Sequence, residues 1–209
     1  MAVTKRTRRS PEEARRRILE AAERRLAGGG PDAVRVQHLA ADLGITDAAI
    51  YHHFRNREGL LDALARFGAR NLKNAMEDVI AGFDGDREDI EAVAALALET
   101  FERRGYARLV LWLSMAGIPS DRGSGMFDGL GMAFERRFLA ASPPGSDRAA
   151  VALEARFLAT LLILVVFAEP MLGTISRRSI GLGGGRATTL QFRRWFSGAM
   201  QTLLSKGAG

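Results

Sequence analysis

No cysteine occurs anywhere in the chain. Disulfides and thiolate metal sites are therefore excluded, and the absence fits a reducing compartment. Histidine is scarce. The three present, His38, His52 and His53, lie close together in sequence without the cysteines or spaced carboxylates that would make a metal site. Enzyme chemistry needs convergent acids, bases, nucleophiles or metal ligands, and little here supplies them. The expectation is no catalytic residue, no metal and no cofactor. No segment alternates apolar and polar residues with period two, so no sheet is expected. Long apolar runs are also missing. The longest, residues 157–168, is bounded by Arg156 and by Glu169-Pro170, short of the roughly 20 residues that span a bilayer. Arg and Glu interrupt each apolar run after the basic N-terminus, so no secretory core forms. A soluble, cytoplasmic protein with no membrane partner is expected.

What is present is helical periodicity and an uneven charge. The 209 residues carry a net charge of +6. Residues 1–57 hold twelve Lys and Arg against seven acids, a surplus of five, which leaves only one positive charge for the rest. A basic quarter on a near-neutral body suggests a polyanionic partner for that quarter, with a plain solvated basic face as the alternative. The chain reads as all-α: a three-helix N-terminal domain followed by a larger helical domain, with the division at residues 1–57 and 58–209. Residues 5–9 are a basic arm, free or reaching into a minor groove. Ser10-Pro11-Glu12-Glu13 is a helix start, and Ala14, Ile18, Ala22 and Leu26 make one stripe on the helix that follows. Gly28-Gly29-Gly30-Pro31 stops it.

Residues 36–54 carry the most information. They read as two short helices joined by a tight turn. Leu39, Leu43, Ile45 and Ile50 are the apolar positions, and Ala40 is small where two helices must cross. Gly44 falls where the chain needs a left-handed backbone, and Thr46 can cap a new helix start. The pattern is a helix-turn-helix, whose second helix, residues 46–54, would lie in a DNA major groove. Its outward set is Asp47, Ala48, Ala49, Tyr51, His52 and His53. Ala48 or Ala49 suits a thymine methyl, Asp47 a cytosine amino group and His52 a purine N7. Thr46, Tyr51, Arg55 and Arg57 are cast as phosphate contacts, with Arg35 also able to reach a phosphate. Packing on the first helix is the alternative for Tyr51, and a satisfied packed histidine is the better reading of His53. Asn56 caps a fourth helix over residues 57–81.

Further helices are expected at residues 86–104, 105–116, 121–141, 147–176 and 187–205. The glycines at 123, 125, 129 and 131 weaken the start of the third of these. Pro170 predicts a kink, and residues 177–185 predict a loop.

Residues 14–64 resemble the DNA-binding domain of the tetracycline-repressor (TetR) family of bacterial transcription regulators. The matching residues are Ile18, Ala21 and Ala22, then Leu39-Ala40 and Gly44-Ile45-Thr46. The most specific are Ile50-Tyr51-His52-His53-Phe54-Arg55-Asn56-Arg57, followed by Leu60-Leu61. One departure is Arg35-Val36, where the family often has Ser or Thr capping the second helix. The resemblance implies a homodimer on a palindromic double-stranded DNA operator, and a small-molecule effector held in the body. Helix-turn-helix dimers place their reading helices roughly 34–36 Å apart. The two C-terminal helices supply candidate dimer contacts at Leu153, Phe157, Leu161, Leu164, Phe192, Phe196 and Leu203, with an intramolecular core as the alternative. Candidate pocket residues are Phe101, Tyr106, Trp112, Met115, Phe127, Phe134 and Phe138. Few polar residues interrupt them, so a mostly apolar effector is expected, its polar end met by Glu99, Glu102 or Tyr106. The leading expectation is a ligand-released repressor and not an enzyme. A constitutive DNA binder and an all-α enzyme or carrier are the other readings.

Overall fold

The computed structural model describes residues 10–118 and 125–206. The expected N-terminal arm and residues 119–124 lie outside these. Among the described residues every regular element is helical. Helix α1 (Pro11–Gly29) starts where Ser10 Oγ accepts the Glu13 N–H at 3.1 Å, with Pro11 at the first helical position. A single 3-10 turn, Pro31–Ala33, leads to α2 (Val36–Leu43). Gly44 then takes φ 62° and ψ 39°, left-handed values that suit a residue without Cβ. Its neighbour Ile45 donates its N–H back to the Ala40 carbonyl at 3.0 Å, closing the turn. Thr46 Oγ1 accepts the Ala49 N–H at 3.2 Å and opens α3 (Asp47–Phe54). Asn56 Oδ1 accepts the Gly59 N–H at 2.7 Å and opens α4 (Arg57–Ala81). These caps satisfy backbone groups that each helix start leaves without partners.

Ile18, Ala22, Leu26, Leu39, Ile50, Leu60 and Leu64 are buried together at the centre of this head. Each of the Ile and Leu side chains contributes roughly 1.5–3 kcal/mol of transfer free energy, which sets the three helices in one arrangement. Helix α4 packs on α1 and α3 at its start and on α5, α6 and α7 further along. It therefore belongs physically to both halves.

The body contains α5 (Arg87–Leu98), α6 (Tyr106–Met115), α7 (Asp128–Ala141), α8 (Arg148–Ser179) and α9 (Arg186–Lys206). A π-helical turn at Glu99–Arg103 splits the continuous helix expected over 86–104. Helix α7 starts only at Asp128, after a turn at residues 125–127, as its glycines foreshadowed. Helix α8 continues through Pro170 and on to Ser179, taking in part of the expected loop. Proline removes one helical hydrogen bond, and packing against α7 and α9 outweighs that loss. Arg177 is held inside by Glu169 at 3.0 Å and by Thr189 Oγ1 at 2.7 Å. Glu169 also accepts from Arg193 of α9, which reaches Glu102 at 2.9 Å. This buried charge cluster ties α8, α9 and the π-helical turn together.

Helix α8 is the one element among the described residues long and apolar enough to cross a membrane. Its Val151, Ala155, Ala159, Leu162 and Val166 face the body interior, while Leu153, Phe157 and Leu164 on the other face are exposed.

Helix α6 meets α4 at Gly68. A methyl group there would collide with the ring of Tyr106. Gly68→Ala is therefore expected to cost about 1–3 kcal/mol through overpacking. Thermal or urea unfolding of the two proteins measures it, and an unchanged midpoint would mean that the ring has room to shift.

Candidate nucleic-acid interface and body cavity

Helix α3 presents an open edge. Thr46, Ala48, Tyr51 and His52 are exposed, Asp47, Ala49 and His53 are half-buried, and Ile50 and Phe54 are buried against the head. Tyr51 is 42% exposed, so it does not pack into α1. His53 is held below the usual histidine range by its partial burial, and further by His52 and Arg15. Neutral His53 fits the packed role better than that of a cationic phosphate ligand. Arg35 and Arg55 are exposed on either side of α3. Arg35 leaves the α2 cap without a side-chain hydrogen bond, and its Nε donates to the Asp32 carbonyl at 3.2 Å.

Arg57 has a different employment from the one expected. Its Nη2 donates to the Pro31 carbonyl at 2.6 Å and its Nε to the Val34 carbonyl at 3.1 Å. The guanidinium also lies 5.3 Å from the centre of the Trp112 ring and 3.7 Å from Asp32. It ties the start of α4 to the segment before α2.

Three further features escaped the sequence reading. Arg15 lies 4.5 Å over the Phe54 ring and donates to the His53 carbonyl at 3.3 Å, clamping the end of α3. Arg25 grips Asp42 with two hydrogen bonds of 2.6 and 2.8 Å and joins α1 to α2. Arg55 adopts φ 64°, a left-handed value unusual outside glycine, where the chain leaves α3. The signal for the first two was the basic surplus of residues 1–57, which by itself suggests an external partner.

The body holds a cavity of about 320 Å³ between α4, α6, the π-helical turn and α8. Of the candidate pocket residues, Phe101, Tyr106 and Phe127 line it. Four do not. Trp112 lies beneath Arg57, on the head side of α6. Met115 is 81% exposed. Phe134 is buried in the core and stacked on Phe83 at 5.2 Å, and Phe138 is fully buried in the same core. The bundle closes over Phe134 and Phe138 and leaves Met115 in solvent. Ala65, Ala69, Thr100, Val110, Leu113, Ser114, Met126, Ile163 and Phe167 complete the lining. Glu99 and Glu102 face Arg104 and Arg193 instead.

Among the candidate dimer contacts, Leu153, Phe157, Leu161, Leu164 and Leu203 are exposed. Phe192 and Phe196 are half-buried and stacked at 6.2 Å, and Phe196 packs on the core. The exposed stripe on α8 continues through Leu172 and Ile175, about 33 Å along the helix at 1.5 Å per residue.

A capped helix-turn-helix head with an open second helix, set on an all-α body, is the arrangement the structure defines. Residues 18–64 match the family model described as "Bacterial regulatory proteins, tetR family". The HTH-type transcriptional repressor Rv1474c of Mycobacterium tuberculosis is 44% identical over 105 residues, which is 44% of this chain and 56% of that protein. The chain thus aligns with little more than half the length of that relative. A TetR-family regulator from Mesorhizobium loti superposes with a TM-score of 0.67 at 16% identity, covering 95% of this chain and 98% of that one. A regulator named AibR, solved in complex with isovaleryl coenzyme A and operator DNA, superposes with a TM-score of 0.52 at 20% identity, covering 93% of this chain and all of that one (100%). Over residues 18–64 the chain is thus similar to the tetR family of bacterial regulatory proteins, and nearly its whole length shares the fold of the solved structures.

Arg57→Ala is expected to lower stability by about 1.5–3 kcal/mol, the scale of hydrogen bonds from a charged donor. A thermal melt without DNA separates this from a residue that only touches phosphate, whose removal would leave the midpoint in place.

Proposed function

We propose that this chain is a homodimeric, DNA-binding transcriptional repressor that leaves a palindromic operator when a mostly apolar small molecule occupies its body. The observation that carries the reading is the open edge of α3, held rigid from behind by Ile50 and Phe54 and flanked by Arg35 and Arg55. A major groove admits one helix, and His52, Ala48, Ala49 and Asp47 are the side chains at its surface that would read bases. Thr46, Tyr51, Arg35 and Arg55 take phosphates and set the register. Arg57 acts mainly as a tether, with its half-buried guanidinium at the edge of that contact.

One helix reads few base pairs, so a second copy is needed. The exposed stripe of Leu153, Phe157, Leu161 and Leu164 on α8, with Leu203 on α9, supports the body as the pairing surface. Phe157 alone is 62% exposed, an unfavourable state for a side chain of that size unless a partner covers it. Support for an effector comes from the body cavity, whose volume lies at the lower end of the range for small-molecule sites. The repressor named above, and AibR solved with operator DNA and a bound small molecule, support the DNA-binding, ligand-responsive part of this reading.

The test is fluorescence anisotropy with duplex oligonucleotides from the DNA flanking the gene, at several salt concentrations, with light scattering on the same sample. The expected result is a dimer whose affinity falls steeply as salt rises. A monomer indifferent to duplex DNA in low salt would overturn the reading. His52→Ala is expected to alter base preference at one position of each half-site in a randomised operator library, at about 1–3 kcal/mol of discrimination. Unaltered preference would remove His52 from the readout set.

A further inference from the structure

Helix α6 has two working faces. One face, with Tyr106, Val110, Leu113 and Ser114, is a wall of the body cavity. The other touches the head, and Arg104 just before it also reaches Glu23 at 3.8 Å. The Tyr106 hydroxyl donates to Glu23 Oε1 of α1 at 2.8 Å, and Trp112 lies under the Arg57 guanidinium that grips the Pro31 and Val34 carbonyls. Tyr106 is thus part of the cavity wall and part of the head contact at once. Its ring is pressed against the backbone of α4 at Gly68 and has no space to retreat on that side. Burial and the neighbouring Glu23 both push its phenol well above the usual range, so it stays protonated and always donates.

The cavity also specifies its occupant. Among the described residues no charged side chain lines it. Among the described residues its hydroxyl groups have their protons committed: Thr100 to the Leu96 carbonyl at 3.2 Å, Ser114 to the Val110 carbonyl at 2.9 Å, and Tyr106 to Glu23. A charged ligand would lose its hydration with nothing in return. A neutral ligand of aromatic or aliphatic character loses little.

We propose that Tyr106 and Glu23 form a latch between cavity and head, which a neutral apolar ligand in the cavity opens by displacing α6. The ring cannot move into α4, so a ligand packed against it shifts the helix and draws the hydroxyl off Glu23. This deepens the function proposed above by assigning the ligand class and the residues that transmit its presence. Linkage is reciprocal: if the ligand opens the latch, a latch already broken must favour the ligand.

The experiment uses the full chain without DNA, so its failure is distinct from a failure to bind an operator. The probe is N-phenyl-1-naphthylamine, a neutral dye that brightens in apolar sites. Glu23→Ala breaks the latch from a residue that does not line the cavity, and is expected to tighten dye binding about five-fold, at the lower end of ordinary couplings. Glu23→Gln keeps an acceptor and is expected to bind the dye as the parent does. Hydrogen exchange in residues 11–29 is expected to quicken when dye is added to the parent. In Glu23→Ala it is expected to be fast already and to change little. Tyr106→Phe, which keeps the ring, is expected to match Glu23→Ala in exchange and serves if that variant does not fold. Absence of dye binding to the parent, unchanged or weaker binding by Glu23→Ala, or α1 exchange blind to the dye would each overturn the proposal.

Discussion

The close approach of the Tyr106 ring to the α4 backbone at Gly68 is the constraint on which the rest of this architecture turns. With no Cβ at that point, α6 settles against α4 and reaches α1 in the same step. The hydroxyl then meets Glu23, the ring closes one side of the cavity, and Trp112 arrives beneath Arg57. A larger side chain at position 68 would lift α6 and weaken all of these together, because they share one helix. The head is joined to the body by this packing as well as by the continuous α4.

Inside the head, cations are used twice over. The basic surplus of the N-terminal quarter suggests a polyanion, yet several of its charges are occupied by the protein itself. Arg57 holds two backbone carbonyls, Arg15 covers Phe54, and Arg25 grips Asp42. Charge-assisted bonds of this kind are stronger than neutral ones, and they fix three short helices that propensity alone would not hold. Among the described residues, those exposed beside α3 include Arg35 and Arg55. A strained, left-handed Arg55 at the end of α3 sets the angle at which α4 departs.

The body resolves a conflict within α8. One stripe of this helix is buried against the bundle and another, from Leu153 to Ile175, is exposed. Between them sit Glu169 and Arg177, buried and mutually paired. Burying charges is costly unless each is matched, and the pairing with Arg193 and Thr189 matches them while locking α9 in place. The apolar composition of α8 therefore exceeds what its contacts among the described residues cover.

Local chemistry decided what could be read from the residues alone. The caps at Ser10, Thr46 and Asn56, the left-handed turn at Gly44, and the buried stripes of Ile18, Leu39 and Ile50 involve residues a few positions apart. Their geometry is set by covalent proximity and helical period. The all-α class and the edge of α3 followed from these. The body was only half legible. Apolar stripes announce burial but do not say against what, so Phe134 and Phe138 passed for pocket residues when they fill the core, and Trp112 when it supports the head. The role of Arg57, the Glu169 cluster and the bond from Tyr106 to Glu23 join residues far apart in sequence. Such contacts exist only once the helices have chosen their partners, a choice made by the summed packing of the whole bundle.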